Sequence, residues 1–98
     1  MQSREGESAP GGEETRQVKA ILDRANECFQ QALKALQGGQ REWADQELDH
    51  VIADCGEAIR IDDKHPAAYQ LRARAYEHKG EDEKAEADLK WARRLSRD

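Results

Sequence analysis

The apolar residues of this chain return every three or four positions, in four runs separated by three strong breaks. The breaks are Gly38-Gly39, the segment Asp62-Asp63-Lys64-His65-Pro66, and Lys79-Gly80. Steps of three and four keep side chains on one side of an α-helix, whereas a strand would require alternation. Glycine accepts the left-handed backbone that ends a helix, and proline disfavours helix for the residue before it. The pattern predicts an all-α chain of four antiparallel helices in two hairpins, with helices over about 16–37, 41–61, 66–79 and 82–96.

The first run reads Val18, Ile21, Leu22, Ala25, Cys28, Phe29, Ala32, Leu33 and Leu36, with Thr15 in the position of an N-cap. The second reads Trp43, Ala44, Leu48, Val51, Ile52, Cys55, Ala58, Ile59 and Ile61. Gly56 inside it costs roughly 1 kcal/mol of helix propensity relative to Ala, so it marks either a close helix contact or a tolerated surface position. Residues 1–15 carry only Met1 and Ala9 as apolar side chains among Ser, Gly, Pro and Glu. Such a stretch buries too little surface to offset the entropy of ordering, and is expected as a disordered tail ahead of a folded domain at 16–98. It would be a linker, a docking tail or a frayed terminus.

The last third, His65 to Asp98, is the most regular. Tyr69, Ala73, Tyr76, Gly80, Ala85, Leu89 and Ala92 follow in the order aromatic, small, aromatic, turn glycine, small, large apolar, small, with Pro66 at the boundary. This series resembles the tetratricopeptide repeat, a helix–turn–helix unit of about 34 residues. The resemblance implies a short α-solenoid and a binding module. Tyr69, Ala73 and Tyr76 would face the core, with Leu89, Ala92 and Leu95 returning onto them. Trp91 falls off that stripe, and would either cover the open end of the stack or meet a partner.

The first half is similar to the same family but longer. Shifted by 34 positions, its second run agrees with the last run at Glu47 and Glu81, Ala53 and Ala87, Asp54 and Asp88, Ala58 and Ala92, and Arg60 and Arg94. Its first run agrees only when shifted by 48: Ile21 with Tyr69, Ala25 with Ala73, and Cys28 with Tyr76. The difference of fourteen residues is about four helical turns, or two extra on each helix. Leu33 and Leu36 on one arm, with Trp43, Ala44 and Leu48 on the other, would zip that extension together.

In the family, the first helix of each repeat lines a concave groove that holds a peptide or a partner helix. Carried onto this sequence, the groove positions are Lys19, Asp23, Asn26 and Gln30, then Gln70, Leu71, Arg74 and His78. Hydrogen-bonding side chains with one or two cations suit a peptide backbone or a carboxylate. The subclass that clamps acidic C-terminal peptides of heat-shock proteins uses two Lys, two Asn and an Arg. Only Asn26 fits that set, with Leu22 and Leu71 where a lysine and an asparagine would be.

Charge and composition narrow the function further. Sixteen Lys and Arg against 21 Asp and Glu leave a net charge of −5, which disfavours dedicated nucleic-acid or anionic-membrane binding. No apolar run is long enough for a transmembrane helix, and the N-terminal residues lack the apolar core of a signal peptide. Cys28 and Cys55 each lie on an apolar helical stripe and are expected as buried thiols in a reducing, cytoplasmic setting rather than a disulfide. His50, His65 and His78 have no ligand partners at the spacings of a structural metal site, and no phosphate loop or nucleophile motif is present. Arg72, Arg74 and Lys79 would attract phosphate but are expected to pair with nearby acids. The expectation is a non-enzymatic adaptor or scaffold without cofactor or metal, binding another protein or peptide. The rival is a self-associating protein using the groove or an end face as a homodimer interface, since repeat arrays usually need about three units.

Overall fold

The computed structural model describes residues 10–97, which form four helices and no strand: α1 (Pro10–Gln37), α2 (Arg41–Ile61), α3 (Pro66–Lys79) and α4 (Asp82–Ser96). The bounds of α2, α3 and α4 coincide with those the sequence predicts. Helix α1 starts six residues earlier, so Thr15 lies inside it rather than capping it. Proline is tolerated in a first helical turn, and Glu13 there favours the positive end of the helix dipole. Residues 1–9 of the expected tail lie outside the described residues.

The two hairpins close in the same way. Gly39 and Gly80 take φ of 76° and 82°. At the first turn the Gln40 N–H reaches back to the Ala35 carbonyl at 2.8 Å, and at the second the Glu81 N–H reaches Tyr76 at 2.9 Å. This six-residue loop satisfies carbonyls that the helix end would otherwise leave free.

Helix α1 packs along α2, α2 against α3, and α3 against α4, while α1 meets α3 over a short length. Phe29, Leu48, Val18, Val51 and Cys55 are the largest fully buried side chains. Helix α3 adds Ala68, Leu71 and Ala75 to that core. Tyr69 and Ala73 are buried too, on a side turned about 100° away. An element apolar over so wide an arc must be covered on more than one side, and α3 lies between the first hairpin and α4.

Helix α2 has 21 residues and its counterpart in the second hairpin, α4, has 15, while α1 with 28 exceeds its counterpart α3 with 14 by twice as much as expected. The surplus in α2 is about two turns, as the sequence shift predicts, and in α1 about four, because that helix also starts earlier. The extension is held differently from the expected zipper. Ala32 and Ala35 on α1 and Ala44 and Leu48 on α2 are buried there. Leu33 and Leu36 are half-buried, and Trp43 is turned out, 53% exposed. Small side chains let facing helices approach closely, so the alanines rather than the indole make this contact. Where α3 ends, Lys79 pairs with Asp49 and Arg41 donates to the His78 carbonyl at 2.9 Å, fastening the second hairpin to α2.

Arg72 sits between the two apolar sides of α3. Its Nε and Nη2 donate to Asp88 Oδ2 and Oδ1, each at 2.8 Å. Its Nη1 lies 3.9 Å from where a Cβ would stand on Gly56. That is an ordinary contact distance, so Gly56 lies beside a guanidinium from the next hairpin without the space there demanding a glycine.

Candidate partner-binding surface

The groove positions divide seven to one. Lys19, Asp23, Asn26 and Gln30 on α1 are exposed, as are Gln70, Arg74 and His78 on α3. Leu71 is not available: it is 6% exposed and belongs to the core. One residue further round the helix from Gln70, it turns onto the first hairpin, the cost of leaving a leucine in water being the reason.

Phe29 is where the two helices of this surface join. The Arg74 guanidinium lies 4.9 Å from the Phe29 ring centroid, and the His78 ring meets the same phenyl edge-on at 5.6 Å. Contrary to expectation, Arg74 forms no ion pair with a carboxylate among the described residues; it is exposed, and its guanidinium rests on the Phe29 ring instead. Arg72 and Lys79, by contrast, are taken by Asp88 and Asp49, as expected of them. At the α1 end, Lys19 and Asp23 pair with each other at 3.3 Å. Asn26 donates to the Leu22 carbonyl of its own helix at 3.0 Å, so one of its amide hydrogens is already engaged.

The opposite end of the molecule carries a second exposed aromatic. Trp91 is 48% exposed and stacks on Tyr69, with centroids 6.2 Å apart. Tyr69 donates its hydroxyl to the Asp63 carbonyl at 2.9 Å, which fixes the ring on which the indole lies. A shallow cleft beside the pair is lined by Ile59, Arg72, Asp88 and Leu95.

Spacing along a single helix missed one cluster. In a hairpin, residues equally distant from the turn lie abreast, and along one flank of α1 and α2 these are polar. Arg24 holds Asp54 through two hydrogen bonds of 3.1 and 2.9 Å. One turn nearer the tip, Cys28 meets Glu47 and His50, with one donor atom from each within 4.8 Å of the others. Glu47 and His50 are three apart on α2 and so share a side. Burial first, and then the charge of Glu47, push the Cys28 thiol up from its ordinary value. Cys55 is wholly buried, and burial pushes its thiol up to about 12. Both thiols are free.

No helix among the described residues is long and apolar enough to cross a membrane. No family model, curated protein or solved structure matches this chain.

Proposed function

We propose that this chain is a protein-interaction module of tetratricopeptide-like design, an adaptor that holds a peptide or partner helix along the exposed side shared by α1 and α3. The observation that carries this reading is the joint at Phe29. A guanidinium rests on an aromatic face with its donors free, beside an exposed imidazole and among the polar side chains of a second helix. A carboxylate on an extended or helical segment would take the Arg74 fork in two-point fashion, while Gln30, Gln70 and Asn26 meet its backbone.

The test is selection of peptides from a displayed random library, followed by mapping of one binder on the backbone amide spectrum. Shifts concentrated in residues 19–30 and 70–78 of the first and third helices, and loss of binding in the pair Asn26→Ala with Arg74→Glu, are expected. Shifts around Trp91, with binding untouched by that pair, would sink the groove reading.

A second reading rests on the Trp91–Tyr69 stack, a half-exposed aromatic surface at the end of the array. There a second copy of the chain would cover the indole. Light scattering across a hundredfold dilution separates the two readings. A mass that falls on dilution, and a Trp91→Ala variant that is monomeric throughout, favours self-association.

A further inference from the structure

We infer that Cys28, Glu47 and His50 form a binding site for a divalent transition-metal ion, zinc in the first place, bridging α1 and α2. The inference begins with a comparison the molecule makes within itself. Under the register shifts that relate the two hairpins, Cys28 corresponds to Tyr76, Glu47 to Glu81, and His50 to Lys84. In the second hairpin those positions carry their own cation. The Lys84 ammonium lies 3.0 Å from Glu81 and 5.6 Å from the Tyr76 ring centroid. In the first hairpin the carboxylate is kept, the ammonium is replaced by imidazole, and the aromatic ring by a thiol. The internal cation is gone, and two metal-ligating donors stand in its place.

The local environment agrees with that exchange. The Glu47 side chain is 17% exposed, yet no Lys or Arg among the described residues forms an ion pair with it; its nearest basic neighbour is His50 Nδ1 at 3.9 Å. A partly desolvated carboxylate without a fixed positive partner favours an external cation. Sulfur, nitrogen and oxygen donors together are the ligand set of zinc rather than of calcium or magnesium. Tetrahedral zinc needs donor–donor separations of roughly 3.3–3.7 Å, against the 4.8 Å limit within which these donors lie. His50 is 67% exposed, so its side chain has room to change rotamer toward Cys28 and Glu47. On binding, a sulfur–zinc bond forms and the thiol proton passes to solvent. Three protein ligands leave the fourth position to water or to a side chain of a bound partner.

The experiment is a titration of the reduced 98-residue chain with cobalt(II), followed by displacement with zinc. A stoichiometry of one to one is expected, with visible bands of tetrahedral intensity and a thiolate-to-cobalt charge-transfer band. Zinc should abolish the spectrum and raise the melting temperature. Cys28→Ser should lose the charge-transfer band, and Glu47→Gln should weaken binding. The decisive variant is His50→Lys, which restores at an exposed position the cation that the second hairpin carries. It should keep the helix content of the wild type and lose both cobalt binding and the thermal response to zinc. His65→Gln and Cys55→Ala serve as controls that keep the spectrum. Absence of the charge-transfer band in the wild type, or its persistence in Cys28→Ser or His50→Lys, overturns the site.

Discussion

Arg72 and Asp88 face each other across the second hairpin in a two-point pair, both bonds 2.8 Å long, with the Asp88 side chain only 5% exposed. Two rings of α3, Tyr69 and Tyr76, flank the same guanidinium at 5.9 Å. A buried pair of this kind is expensive to break by halves, because the surviving charge keeps its desolvation cost. Asp88→Ala should therefore lower unfolding free energy by about 3 kcal/mol, while Arg72→Met combined with Asp88→Leu should recover most of the loss. Urea unfolding of the single and double variants measures the coupling. Additive losses would show that the pair is not a unit.

Leu71 and Gln70 are neighbours in sequence with opposite fates. Leu71→Ala should cost about 2–3 kcal/mol and leave peptide binding intact in molecules that remain folded. Gln70→Ala should change stability by less than about 0.5 kcal/mol, and any effect it has should appear in binding. Thermal melts paired with a binding isotherm read both.

The two cysteines should separate kinetically and by pH. Cys28, half-buried, should react with a thiol reagent in the native protein, and Cys55 only after unfolding. Burial holds the Cys55 thiol neutral up to about 12, whereas an unfolded thiol ionises near 9.0. Above the latter value the unfolded state has lost a proton that the folded state keeps, so stability falls as pH rises through that window. The slope from this group is at most about 1.4 kcal/mol per pH unit. Cys28 and Tyr69 shift in the same direction, so the contribution of Cys55 is the difference between wild type and Cys55→Ala in urea midpoints across the window. Parallel profiles for the two proteins would contradict it.

Trp43 and Trp91 are both about half exposed but are held differently. Trp91 lies on Tyr69, and Trp91→Ala should cost about 1 kcal/mol. Trp43→Ala should stay within about 0.5 kcal/mol. Chemical unfolding of each variant checks this.

Much of the fold was legible because its punctuation is chemical. Gly38-Gly39, His65-Pro66 and Lys79-Gly80 each impose a backbone state that ends or starts a helix, and the end of α1, both ends of α2 and α3, and the start of α4 lie beside such breaks. The start of α1 was not legible, since Gly11 to Thr15 offer no apolar side chain that would extend the helical stripe toward the N-terminus. The core of α3 was half legible. A search for one stripe found Tyr69 and Ala73 but passed over Ala68, Leu71 and Ala75, because a helix packed on two sides has no single stripe. Trp43 misled for a related reason: alanines, not the largest apolar residues, set the spacing of the extension. Cys28, Glu47 and His50 escaped notice because their meeting depends on the register of two helices, which the turn at Gly38-Gly39 sets and no single-helix spacing reveals.

The sandwiching of α3 also orders the ways in which the molecule comes apart. Helix α4 touches α3 alone, whereas α3 is embraced by α2 and α4 and reaches α1 as well. Detaching α4 therefore strips the fewest contacts, and its amides should exchange with solvent through a sub-global opening well before those of α1, α2 and α3. Such an opening would unhook Asp88 from Arg72 and lift Trp91 from Tyr69 in one event. In this packing α4 is the outermost leaf of the fold, and a molecule that covered it would also set how often that leaf opens.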